Sequence, residues 1–409
     1  MIKSDYGHLS CPFYEQKLKS GLKVLFIPGK AKTESAIVYL SQGGYLHDEK
    51  IESSKIPFGT AFYLSEMVMD ESFRAKLAQK GAYGEKASDL SYTYFQVTSA
   101  KDIFTPLSML LERLYNMDFS EEILEGKKDV LSPRNEGLSL AKKNLLLNLY
   151  SSSPIRLGVV PDRDQAIPIH VTALKKYLQR YYVPNRVTLI IRGDYTPGEC
   201  MAKIEKLRLP KDVVTFSKEL TFDEDYKNPR VEYASSKSPD GNYLTFGIKF
   251  QPRETLYEKF GQLMFFAYEV LKETLFLENP IFLKGIRDVD SDLIDVSFHE
   301  GGEDGYLLLS FHTQKPVALL SFLTDYLSKA DKMVDRPLFS DVLDGYFAKG
   351  IALLRDPHAC VQAFSKAYAN NLPYTSLLSL TAKMNFRSFK TFLKDFSTFT
   401  RSAYFLKRG

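Results

Sequence analysis

The order of apolar runs along the 409 residues constrains the fold most: a strand–helix–strand–helix succession runs once and then starts again. Leu22–Ile27 lies between the turn signals Ser20-Gly21 and Pro28-Gly29 and reads as a strand. Ala36–Leu40, the aromatic and β-branched Tyr92–Val97 and the buried-type Val187–Ile191 read as further strands. Helical spacing falls at Gly59–Asp70, Phe73–Gln79, Phe104–Tyr115, Leu138–Leu149 and Thr172–Tyr182, and Ser120 followed by Glu121 and Glu122 opens another helix. Lys206–Pro229 is charged, holds two prolines and has no long period. After it the succession restarts: strand Tyr243–Phe250, helix Gln262–Leu277, strands Leu293–Phe298 and Tyr306–His312 around a Glu300–Gly305 turn, helix Pro316–Ala330, and more helices to Phe396. A repeat of about 200 residues is far longer than a solenoid period. It predicts two α+β domains, residues 1–207 and 230–409, joined by a linker at 208–229.

Composition supports packed cores, with 44% hydrophobic and 13% aromatic residues. Lys and Arg number 54 against 50 Asp and Glu, and this net +4 gives no reason to expect a nucleic-acid partner. Cys11, Cys200 and Cys360 are odd in number and far apart, with no zinc-ribbon spacing, and read as reduced thiols. No apolar h-region follows Met1, and no apolar run reaches about 18 residues. The expectation is a cytoplasmic chain with no membrane partner.

The stretch Ile56–Asp70 reads as a turn entering a helix. With Gly59, Ala61, Phe62, Tyr63, Leu64, Ser65, Glu66, Met67 and Val68, it resembles the zinc helix G-x-A-H-F-L-E-H of the M16 (pitrilysin/insulinase/mitochondrial processing peptidase) metallopeptidases. The likeness continues. Gly21-Leu22-Lys23-Val24 is similar to the family's opening strand, and Lys80–Tyr83 with Ser91–Phe95 to its edge-strand segment. The run from Tyr181 through Pro184, Asn185 and Gly193 to Asp194 is similar to its Y-x-P-x-N…G-D segment. Among M16 proteins the chain most resembles the short two-domain YmfH-like group of Gram-positive bacteria. The resemblance implies two M16-like (LuxS/MPP-like) α+β domains, each an antiparallel-rich sheet with helices packed on one side, in a clam-shell arrangement.

It also implies a lost metal site. In an H-x-x-E-H helix, two His at i and i+4 reach one metal and the Glu activates its water. Here Phe62 stands at the first His, Ser65 at the Glu and Glu66 at the second His. The family's downstream acidic pair aligns with Lys127 and Arg134, two cations that repel Zn²⁺. Four of the five aligned positions cannot perform their role and the fifth, Glu66, is altered. The expectation is no catalytic residue, no metal and no cofactor. An ion pair of Glu66 with Lys127 or Arg134 could stand where the metal stood. In the second half, the family's substrate-holding Arg aligns with Arg287 and its Tyr with Ile294.

Substrate contact is expected at Gly84, Glu85, Lys86, Ala87 and Ser88, where a peptide would add to a sheet edge, and at Arg287. The family's Asn-Ala is absent there.

Other motifs read as ordinary structure. No two of the six His lie at i, i+3 or i+4; His299 and His312 could face each other across a hairpin, and His8 and Cys11 have ligand spacing without a second pair. Asp288-Val-Asp290-Ser-Asp292 starts like a calcium loop but has Leu293 and His299 where Gly and Glu are needed. Pro28–Thr33 lacks the first Gly of a phosphate loop, no G-x-S-x-G elbow occurs, and the paired lysines at 127–128, 142–143 and 175–176 read as solvated helix faces.

Three functions remain: a non-catalytic M16-like subunit paired with a second M16-like chain or with itself, a stand-alone peptide- or protein-binding scaffold, or an enzyme of unrelated chemistry.

Overall fold

Apolar, β-branched runs form the strands and amphipathic runs the helices, nearly in the expected order. The structure, a computed structural model, describes residues 2–4, 11–41, 43–44, 56–132, 136–158, 160–207, 209, 222–238, 241–252, 255, 260, 264–301, 304–369 and 374–409. The first half runs β1 (Ile2–Ser4), β2 (Phe13–Lys17), β3 (Lys23–Pro28), β4 (Glu34–Ser41), α1 (Thr60–Val68), α2 (Glu71–Gln79), β5 (Ala82–Ser88), β6 (Tyr92–Ser99), α3 (Phe104–Asn116), α4 (Glu121–Leu131), α5 (Gly137–Leu149), α6 (Val171–Tyr181), β7 (Val187–Gly193) and α7 (Pro197–Ile204). The second runs β8 (Tyr233–Ser238), β9 (Tyr243–Lys249), α8 (Met264–Lys272), α9 (Pro280–Asp288), β10 (Ser291–Gly301), β11 (Asp304–Thr313), α10 (Pro316–Ser328), α11 (Arg336–Leu353), α12 (Pro357–Ala369), α13 (Tyr374–Lys383), α14 (Phe386–Phe396) and β12 (Arg401–Arg408).

The chain forms two units, and neither is a contiguous half. Unit 1 comprises Met1–Ser132, Val160–Leu220 and Lys349–Leu378; unit 2 comprises Pro133–Val159, Thr221–Ala348 and Ser379–Gly409. The change at 220/221 falls inside the expected 208–229 linker, whose residues 208 and 210–221 lie outside the described residues. Each expected half thus lends a segment to the other's unit.

Unit 1 holds a seven-stranded sheet in the order β1-β2-β3-β7-β4-β6-β5. It is antiparallel except where β3 and β7 lie parallel at its middle. Strand alternation sends neighbours to opposite faces, and here both faces are covered. Phe95 of β6 packs on Tyr182 at a 5.8 Å centroid separation, on the face carrying α1 and α3. Tyr94, Gln96 and Thr98 point the other way, to α12, where Gln362 donates to the Tyr94 hydroxyl at 3.2 Å. All seven residues of β7 are accordingly buried. Of the cysteines, none is bridged, and burial pushes the Cys200 and Cys360 thiols up to about 12.

Unit 2 holds a five-stranded sheet, β10-β11-β9-β12-β8, with β12 and β8 parallel. One face carries Leu244, Phe246, Ile248, Leu307, Leu309, Phe311 and Phe405 into an apolar core. That core also takes Phe389, Phe392, Leu393 and Phe396 of α14; each such side chain contributes about 1.5–3 kcal/mol on burial. The other face carries α5. Thr245 donates to the Ala141 carbonyl at 3.2 Å, and Asn144 to the Tyr404 hydroxyl at 2.9 Å. Gly247 lets α5 come close, since a Cβ there would lie 3.1 Å from Leu145. The expected one-sided packing is therefore corrected in both units: α12 or α5 lies on the second face, which is why strand residues of both parities are apolar or hydrogen-bonded.

Unit 2 also contains a fully buried ion pair that sequence patterning missed. Lys249 contacts Glu224 at 2.5 Å, with side chains 0% and 1% exposed. Glu224 accepts from the backbone amides of Ser151, Ser152 and Ser153, and Lys249 donates to the Leu149 and Asp225 carbonyls. Burial pushes the Glu224 carboxyl up, but Lys249 and the three amides outweigh it and hold the group at about 2.

Candidate functional site

The candidate site lies on α1 of unit 1, and its frame is set by sterics. Gly59, just before the helix, has φ +88°, and a Cβ there would lie 2.5 Å from Pro161, so only glycine fits. At the other end Arg113 donates to the carbonyls of Val68 at 2.6 Å and Met67 at 3.0 Å and pairs with Asp70 at 2.7 Å, satisfying the last carbonyls of the helix. Tyr63 is anchored by a 2.6 Å hydrogen bond between its hydroxyl and that of Ser132.

Phe62 and Glu66 are half-buried, with buried residues on either side of them. At i and i+4 they share one face, as two metal-binding His would. What reaches that face is the ammonium of Lys86, from β5. It hydrogen-bonds and ion-pairs with Glu66, both side chains about one-sixth exposed or less (14% and 16%), and lies 5.5 Å from the centre of the Phe62 ring. Burial pushes the Lys86 pKa below the usual lysine value; the Glu66 hydrogen bond and charge offset part of this, while Arg74 and Lys127 add to it. Ser65 cannot reach the face, because its hydroxyl donates to the Phe62 carbonyl at 2.7 Å.

The residues do not fit a zinc ion. Phe62 offers no donor atom, the Glu66 carboxylate is engaged by an ammonium, and Lys127 adds positive charge nearby. The expected partner of Glu66 is also corrected. The structure gives it Lys86 in place of Lys127, because the β5 register points Lys86 at α1; Arg134 lies outside the described residues.

β5 is the edge of its sheet, and its neighbouring charges are drawn to opposite faces. Lys86 goes to Glu66, and Glu85 goes to His358 of α12 at 3.0 Å. The His358 Nδ1 faces the Gln96 amide at 2.9 Å and the Thr98 hydroxyl at 3.2 Å. Gly84 admits α2, since a Cβ would lie 2.7 Å from Leu77 and from Met69. Ser88 bonds Thr93 at 2.9 Å, and Ala87 pairs with Tyr94 across the sheet. Glu85 and Lys86 are thus held by the protein itself.

Arg287 belongs to unit 2, exposed on the last turn of α9, and Ile294 is 46% exposed beside a bulge of β10. His299 and His312 do not face each other: they pair with Tyr306 and Asp292, at opposite ends of the hairpin. Asp290 sits in a turn with φ +56° and pairs with Lys315 at 3.6 Å. His8 lies outside the described residues. Among the described residues, Glu121, Glu125 and His170 have ligand spacing, but all are exposed; Glu121 accepts the Val171 amide at the start of α6, and Lys128 holds Glu125 at 2.6 Å.

No family model matches the chain. The chain is 19% identical over 223 residues to the uncharacterized zinc protease YmfH of Bacillus subtilis, a match that takes in 50% of this chain and spans about half (51%) of that relative's length. Among solved structures it is similar to an M16-like peptidase of Alicyclobacillus acidocaldarius, with a TM-score of 0.78 at 16% identity over 97% of this chain and 99% of that one. It is similar to a peptidase M16 inactive domain of Pseudomonas fluorescens, with a TM-score of 0.74 at 15% identity over 97% and 98%. The periplasmic protease PqqL of Escherichia coli matches at 0.67 and 12% identity over 97% of this chain but 48% of its own. The fold is that of the two-domain M16-like peptidases. This is the likeness that the motifs of α1, β6 and β7 indicated.

Proposed function

We propose that the chain is a catalytically inactive M16 homologue that serves as the non-catalytic subunit of a peptidase acting on peptides. One observation carries this reading: the ammonium of Lys86 lies against both side chains, Phe62 and Glu66, that stand where two His would hold zinc. A cation made of protein now balances the helix carboxylate, so the contact between α1 and β5 survives without metal while the Lewis acid and its activated water do not. The likeness to an inactive M16 domain supports the loss of chemistry. That PqqL is about twice as long as the part this chain matches supports a partner. We place that partner, a second M16-like chain with an intact H-x-x-E-H, in the cytoplasm with this one, where unbridged Cys11, Cys200 and Cys360 stay reduced.

Native mass spectrometry of the tagged chain drawn from its own host tests this. A 1:1 complex with an M16-like chain is expected, with peptidase activity only in the pair. A partner-free monomer or homodimer would overturn the subunit reading and leave a stand-alone scaffold.

A further inference from the structure

A cavity in unit 2 lies among residues outside α1. It has a volume of about 660 Å³ and is lined by Asp331, Arg336 at the start of α11, and Phe386, Arg387, Lys390 and Lys394 of α14. Four cations thus face one carboxylate. The imbalance is close to the surplus of the whole chain, which is +4. Two other lysines of unit 2 do have partners: Lys329 sits 2.6 Å from Asp325, and the half-buried Lys272 sits 3.1 Å from Glu269. None of the four cavity cations has an ion-pair partner among the described residues. Arg387, Lys390 and Lys394 follow one another at i, i+3 and i+7, so they share a helix face and repel one another.

We propose that this cavity binds an oligophosphate, a di- or triphosphate chain either free or carried by a nucleotide-sized molecule. Two arginines offer planar forks that match phosphate oxygens, and two lysines add point charge. The like-charge repulsion on α14 is the cost that such a ligand relieves. The volume lies in the range of small-molecule sites. Phe386 gives the cavity a half-buried aromatic wall, packed on Phe339 at 5.4 Å, with the Lys390 ammonium 5.6 Å from its ring centre. Recognition rests on the side chains, because the Ser388 amide in the first turn of α14 already donates to the Asn385 side-chain oxygen at 2.8 Å. A local, open concavity suits a small polyanion better than a nucleic acid, which would need a basic stripe. The proposal is independent of the reading of α1.

The test is calorimetric titration of the full chain with tripolyphosphate and, separately, ATP, both in EDTA at low salt. Saturable 1:1 binding is expected, weakened about tenfold or more in Arg387→Ala/Lys390→Ala. Circular dichroism and the thermal midpoint verify that this variant stays folded, which the exposure of Arg387 favours. Tighter binding of ATP would identify a nucleotide and equal binding the phosphate chain itself; both sustain the site. No saturable binding at millimolar ligand, equal affinity in the variant, or binding of an RNA oligomer without tripolyphosphate would overturn it.

Discussion

Each unit contains a lysine–carboxylate pair, and the two differ in how completely they are satisfied. In unit 2 every polar atom of the Glu224–Lys249 pair has a partner: three amides and an ammonium for the carboxylate, two carbonyls and the carboxylate for the ammonium. In unit 1 the Lys86 ammonium has Glu66 and an aromatic face, and burial pulls its pKa down. The first pair is a staple that fixes the start of the second half against the Ser151–Ser153 turn. The second holds two elements together at a place where M16 chemistry would need a metal. A fully hydrogen-bonded buried pair is costly to break from either side, while a thinly satisfied one can be replaced.

Breaking the staple should have the largest effect. Lys249→Met strands a buried carboxylate, and urea denaturation is expected to show a loss of about 4 kcal/mol; a loss below about 1 kcal/mol would place the pair outside the cooperative core. Next comes Lys86→Ala, with an expected loss of about 3 kcal/mol. Glu66→Gln/Lys86→Met should recover much of it, and simple additivity of the single losses would refute the idea that the pair acts as a unit. Acid should then separate the two pairs. Glu224 titrates near 2 when folded against 4.5 unperturbed, so its contribution is complete above pH 4.5 and is lost as pH falls through about 2. The expected loss, on the order of 2 kcal/mol, should vanish in Glu224→Gln.

A smaller effect concerns zinc. Phe62→His/Ser65→Glu/Glu66→His rebuilds H-x-x-E-H on α1, yet Lys86 and Lys127 still oppose the ion. Adding Lys86→Met and Lys127→Glu should tighten zinc binding about tenfold by titration; tight binding without them would show that the two lysines are bystanders. The smallest change is expected for Glu85→Ala, about 1 kcal/mol, because that pair with His358 is partly exposed.

Much of this was legible in the sequence and some was not. Gly59 before an apolar helix and the buried-type run of β7 could be read directly, because sterics and burial of this kind depend on single residues. The Glu66–Lys86 pairing could not, since it depends on which face of β5 a residue occupies, and Ala82–Ser88 has no strong alternation to set the register. Glu224 was hidden in a charged stretch that reads as linker, because composition does not tell a solvated carboxylate from one wrapped by amides. Helical periodicity located α5 and predicted further helices toward the C-terminus, where α12 lies. It shows that a helix has an apolar face but not which sheet that face covers.

The assignment of α12 to unit 1 has a consequence for synthesis. The Tyr94–Gln96–Thr98 face of the first sheet can form once Gly193 has left the ribosome, but its cover ends at Ala369. At about 5–20 residues per second, that face waits on the order of ten seconds or more for the helix that closes it. A chain cut short before Ala369 should therefore carry an uncovered sheet, recognisable to the chaperones that hold nascent proteins.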